Sequence, residues 1–202
     1  MRVHMIVAAL LVTPAIVAAQ ATGRAQGSAN AAAAAHAHAA APSVPADFSA
    51  SSRVRLEATY ARAREHHVPE SAIQNRVAEG EAKNASERAV VASAAKVETN
   101  MEDARAAMVA AGHDPDDDEV QAGAYAMERG VSKAQIGTMA RRAPRGRSLT
   151  VAFDAVTRLN EHGVRLTSAL TQVQAKLDAH ASDAAITSLV TKAGAGVKLG
   201  GG

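Results

Sequence analysis

The chain has 202 residues, no cysteine and only four aromatic side chains, Phe48, Tyr60, Tyr125 and Phe153. Without thiols there is no disulfide framework, no thiolate-ligated zinc and no lipid attachment through cysteine, and so few aromatic faces give no platform for stacking bases or sugars. A formal net charge of +2 supplies no global attraction to nucleic acid, and no nucleic-acid partner is expected.

The first segment reads as an export signal, assigned to residues 1–21. Arg2 supplies a positive start, an apolar run extends from Met5 to Ala19, and small residues follow around Ala19 and Ala21. That run is shorter than the ~20 apolar residues of a spanning helix and contains Pro14. The expectation is an exported bacterial protein, periplasmic or secreted, with no membrane span after signal removal. Residues 22–48 are rich in Ala, Ser, Gly and Pro around His36 and His38, and carry too little apolar bulk to offset their ordering entropy. They are expected to form a flexible linker, and the Gly-rich tail at 194–202 is expected to fray.

Residues 50–193 repeat one phrase. A turn residue (Gly, His or Asn) is followed by a small or β-branched residue, then Ser or Pro, and then a helix. The instances are His67-Val68-Pro69, Asn84-Ala85-Ser86, Gly130-Val131-Ser132 and His180-Ala181-Ser182, with His162-Gly163-Val164 a looser variant. The first large apolar residues fall at Ile73, Val90, Val120, Ile136, Phe153, Leu170 and Ile186, about 17 apart save for one wide gap. Each unit fits a helix of three to four turns plus its turn. Ser86, Ser132 and Ser182 stand at N-cap positions, Ser132-x-x-Gln135 spells a capping box, and Pro69 suits a first helical position. Gly112, Gly130 and Gly163 suit left-handed C-terminal positions.

The wide gap predicts the longest helix, roughly Ser86 to Ala111. Its Val90, Ala94, Val97, Met101, Ala104, Met108 and Ala111 form a heptad seam whose alanines admit a close neighbour. The seam reads as the core of the bundle in preference to a dimerising coiled coil. No strand pattern is present. The predicted fold is all-α, a compact array or bundle of seven to eight short helices in helix-turn-helix units with one longer central helix.

The phrases His67-Val68-Pro69, Gly130-Val131-Ser132, Arg145-Gly146-Arg147-Ser148-Leu149 and Ala181-Ser182-Asp183 resemble the turns of a group of exported bacterial all-helical proteins with no assigned activity. The resemblance covers about residues 52 to 190 and rests on turn and cap chemistry. It implies a helical fold and no catalytic residues.

Three constellations carry charge or ligating groups. Asp114, Asp116 and Asp118 match the start of a calcium loop, but its sixth and twelfth positions are Glu119 and Tyr125 where Gly and Glu are required. The acids therefore read as the first turn of a helix, where the dipole favours them. Arg141, Arg142, Arg145 and Arg147 surround a turn at Pro144 and Gly146, and are the candidate contacts for an anionic group or a partner. His67, His113 and His180 lie at turns that strict alternation of helices would bring to one end; three imidazoles suit zinc, although capping is the simpler role. There is no phosphate loop, no H-E-x-x-H and no G-x-S-x-G. No enzyme activity and no cofactor are expected. The leading expectation is an exported non-catalytic scaffold or protein-interaction module. The alternative is a binding protein for an anionic cell-envelope component through the Arg141–Arg147 turn.

Overall fold

The computed structural model describes residues 44–199. Eight helices follow one another: α1 (Ala50–Glu65), α2 (Glu70–Ala82), α3 (Glu87–Ala110), α4 (Asp117–Glu128), α5 (Lys133–Arg142), α6 (Thr150–Glu161), α7 (Leu166–Asp178) and α8 (Asp183–Leu199). No strand occurs among the described residues. The residues assigned to the export signal, and linker residues 22–43, lie outside them.

One turn design links nearly all of these helices. After α1, His67 takes φ 52°, its amide bonds Arg64 O at 3.2 Å, and the Val68 amide reaches back to Ala63 O at 2.9 Å. These paired bonds satisfy carbonyls that the helix end leaves open, which is the Schellman arrangement. It recurs at Asn84, Gly112, Gly130, Gly163 and His180, where the next amide bonds Gly80 O, Met108 O, Ala126 O, Leu159 O and Lys176 O respectively. The small or β-branched residue of each phrase is thus the one that reaches back, and Val68 and Val131 are buried as they do so. Ser86, Ser132 and Ser182 then accept from the amides of Ala89, Gln135 and Ala185, and Ser132 with Gln135 completes the capping box. Pro69 stands at the N-cap of α2, one position before the first helical residue.

The exception is the turn between α5 and α6. Ala143 leaves α5 in an extended conformation, Pro144 and Gly146 (φ 73°) fold the chain, and the Arg147 amide bonds Pro144 O at 3.1 Å. Here Pro144 has no N–H to reach back into the helix, so the Schellman bonds cannot form.

Packing follows two hubs. The 24-residue α3 is contacted by α1, α2, α4 and α5, and α6 is contacted by α4, α7 and α8. The seam Val90, Ala94, Val97, Met101, Ala104 and Met108 is buried, so α3 is the central helix of the bundle. Its alanines bring two neighbours close. A Cβ at Gly123 of α4 would lie 3.1 Å from that of Ala104, and one at Gly137 of α5 would lie 3.3 Å from Ala107 O. Glycine in mid-helix is unfavourable by about 1 kcal/mol relative to alanine, so these two are explained by contact and not by propensity.

The packed region is longer at both ends than composition suggests. Phe48 is buried and Val44 packs against the core, although both lie near or within the expected linker. Ser49 caps α1, and its amide and hydroxyl both donate to Glu87 of α3, at 3.1 and 2.7 Å. These bonds hold the Glu87 carboxyl below its usual range. At the other end α8 runs to Leu199 through Gly194, where the sequence predicts fraying. Gly194 lies over the His162 ring, with a Cβ there 3.5 Å from its Cε1, so tertiary contact outweighs the weak helix preference of glycine.

Two outcomes test this packing. Met108 is fully buried beneath Gly123. Met108→Lys should therefore place an ammonium in the core at a cost of several kcal/mol, comparable with the ~5–15 kcal/mol of a whole domain; circular dichroism should show loss of the helical signal. Tyr60 is buried and its hydroxyl has no hydrogen-bond partner; burial first, and then Glu70 and Glu81, push its phenol up to about 12. The folded pKa is raised, so the unfolded chain ionises first and stability should fall as pH rises from about 10 to about 12. In a Tyr125→Phe variant, phenolate absorbance of the folded chain should rise near pH 12 and not near pH 10.

Candidate functional site

The acidic and basic runs meet across one cavity. A cleft of about 730 Å³ is bounded on one side by Gly112, His113, Asp114, Asp116 and Glu119, and on the other by Arg141, Arg145, Arg147 and Ser148. Its walls are the turn before α4 and the exceptional turn between α5 and α6.

The acidic wall is built by local helix-start chemistry. Asp116 is the N-cap of α4 and accepts the Glu119 amide at 2.8 Å, while Glu119 Oε2 accepts the Asp116 amide at 3.1 Å. This is a second capping box, spelled Asp-x-x-Glu, and the acids do form the first turn of a helix as their sequence suggests. Glu119 does more than cap. Its Oε1 accepts His113 Nε2 at 2.7 Å and the Leu149 amide at 2.7 Å, and the carboxylate is almost wholly buried. Leu149 is the N-cap of α6 and has no side-chain oxygen to serve that helix start, so Glu119 reaches it from another element. With Glu119 as acceptor, His113 is the donor through its Nε2–H. One carboxylate thus joins the α3–α4 turn to the start of α6.

The basic wall separates the four arginines into two pairs. Arg142 pairs with Asp178 of α7. Arg147 donates to Ala181 O and, at 2.5 Å, to Asp183, and so fastens the exceptional turn to the start of α8. Arg141 and Arg145 form no ion pair among the described residues, and Arg141 donates only to Thr138, at 3.1 Å. Asp114 and Asp116 likewise have no cationic partner across the cleft. Arg141, Arg145, Asp114 and Asp116 therefore line the same space without forming ion pairs with one another.

A second groove, of about 370 Å³, lies between α2 and α4 with Val97 and Met101 in its floor. Its charged groups are already satisfied: Arg76 holds Glu128 at 2.8 Å and lies 3.7 Å from Glu79. The contrast marks the first cleft as the one with unspent binding capacity.

The sequence-predicted histidines are not gathered. Among the described residues one group has ligating atoms close enough to share a metal ion, and it consists of His66, Glu98 and Glu102. His67, His113 and His180 are not members. His67 and His180 occupy the left-handed turn positions, and His113 is engaged by Glu119.

Comparison with known protein families, with characterised proteins and with solved structures finds no match.

Removing the joining carboxylate tests the site. Glu119→Ala leaves a buried amide at Leu149 and the His113 N–H without an acceptor, at about 1–3 kcal/mol for each such group. Urea denaturation should show a loss of about 3 kcal/mol or more. Asp118→Ala, at an exposed neighbouring position, should stay within about 0.5 kcal/mol.

Proposed function

We propose that this chain is an exported, non-catalytic helical binding module whose ligand carries an anionic group and seats in the cleft between the α3–α4 and α5–α6 turns. The observation that carries this reading is the pair Arg141 and Arg145, which line the cleft without carboxylate partners while Arg142 and Arg147 are held by α7 and α8. Two pinned arginines hold the turn in place and two others are left to bind. Guanidinium groups offer forked donors that match carboxylate and phosphate oxygens, so a charged oxygen group is the natural complement. The carboxylates of Asp114 and Asp116 on the opposite wall select against a purely anionic polymer and favour a small ligand that also bears a cationic or hydrogen-donating end. Export through the N-terminal signal places such a ligand in the cell envelope.

The scaffold reading uses the same chemistry, with a partner protein presenting an Asp or Glu side chain to the two arginines. No residue in the cleft pairs a nucleophile with a base, and His113 is tied to Glu119, so the site is read as one for binding.

Thermal-shift and calorimetric titration with inorganic phosphate, a sugar phosphate and a free amino acid provides the test. At least one should bind saturably, more weakly as salt is raised, and Arg141→Ala with Arg145→Ala should weaken it tenfold or more while the melting temperature of the unliganded protein is unchanged. Binding that survives the double substitution, or no response to any of the three, would overturn the small-ligand reading.

A further inference from the structure

A separate cluster of ligating groups lies where α1 packs against α3. Glu98 and Glu102 stand one turn apart on α3, and His66 is the C-cap of the α1 helix that packs beside them. One ligating atom from each of the three residues lies within 4.8 Å of the others. Carboxylates one helical turn apart face the same way, and a helix-capping histidine brings the third group from a different element.

Two carboxylates near one another are common on protein surfaces and signify nothing alone. The distinguishing feature is Glu98. It is 1% exposed, yet its Oε1 has no hydrogen-bond partner. Its other oxygen, Oε2, accepts Arg62 Nε at 3.2 Å. A guanidinium presenting its fork would engage both oxygens. Here the remaining arm is turned away, because Arg62 Nη2 donates to Thr59 at 3.3 Å, and Thr59 in turn donates to Arg55 O at 3.0 Å. The arginine is thereby fixed to hold one carboxylate oxygen and leave its twin unpaired. A buried anionic oxygen without a partner is costly, and such oxygens are ordinarily paired or bound to metal.

We propose that His66, Glu98 and Glu102 form a binding site for a first-row divalent metal ion, with zinc preferred. The ligand set, one imidazole nitrogen and two carboxylate oxygens, suits zinc better than calcium or magnesium, which favour all-oxygen shells. Arg62 serves as the outer partner that orients the Glu98 carboxylate, the usual arrangement behind a metal-binding carboxylate. It also offsets one of the two carboxylate charges. Glu98 is the fixed anchor. His66 and Glu102 are each partly exposed, and His66 Nδ1 stands 3.7 Å from Glu102 Oε1, too far for a hydrogen bond. These two can draw in by about 1 Å to reach zinc–nitrogen and zinc–oxygen bonds of ~2.0–2.2 Å. Their exposure leaves the outward side of the ion open to solvent.

Isothermal titration of the full chain with zinc chloride in a non-chelating buffer tests this. One strong site is expected, together with a rise in melting temperature that excess magnesium does not reproduce. His66→Ala and Glu102→Ala, both partly exposed positions, should fold normally and each weaken zinc binding at least tenfold. The melting-temperature rise should vanish with the site. In parallel, manganese should broaden the imidazole proton resonances of His66 before those of the other histidines. Zinc binding unchanged in both variants would assign the metal to His36, His38 or another histidine and overturn the proposal, as would the absence of any site tighter than weak surface binding. Loss of zinc binding with the cleft's anion binding intact would separate this site from the one formed by Arg141 and Arg145.

Discussion

The buried carboxylate of Glu119 is the point on which the two halves of the bundle depend. Helices α1, α2, α4 and α5 gather round α3, and α7 and α8 gather with α4 round α6. Helix α4 packs in both groups. At its first turn Glu119 caps its own helix, hydrogen-bonds His113 of the preceding turn and accepts the N-cap amide of α6. Hydrophobic burial is non-directional and would tolerate several placements of α6 against α4. Three hydrogen bonds converging on one anion do not, because each has a fixed direction and none can be lost to water in a buried position. The cleft is a result of that constraint, since Glu119 fixes the distance between the turn it belongs to and the turn that ends at Leu149.

The two sites share a logic in which one set of arginines holds the structure and leaves another group free. On the α5–α6 turn, Arg142 and Arg147 are pinned so that Arg141 and Arg145 remain available. Beside α3, Arg62 engages one oxygen of Glu98 so that the other is available. Charges that neutralise each other completely have nothing left for a ligand. The groove between α2 and α4 illustrates this with Arg76 and Glu128.

The sequence reveals what is local and conceals what is tertiary. Turn phrases such as Gly130-Val131-Ser132 are legible because a left-handed residue, a returning amide and a cap oxygen all act within six positions. The α3 seam is legible because burial on a helix repeats with its pitch. Glu119 carried a readable signal, the Asp-x-x-Glu spelling of a capping box, but its bond to Leu149 depends on where α6 lies. Glu98 carried almost none. It follows Val97 and reads as the polar side of the heptad, and only the packing of α1 against α3 turns it into a buried anion. The partition of the four arginines was equally hidden, because Asp178 and Asp183 belong to later helices.

The repeated turns also differ from the α5–α6 connection in what closes them. Each Schellman turn closes through bonds between residues five apart, as from Val68 to Ala63, so each of these helix ends is completed by its own short loop. The α5–α6 connection has no such closure and is held by contacts with distant elements: Leu149 with Glu119, Arg142 with Asp178, and Arg147 with Asp183. Its opening would break those contacts with other elements and none of the helix-end bonds that close the other turns. A ligand bridging the cleft would act as a strut across this connection, and its largest effect would be on how rarely the connection lets go.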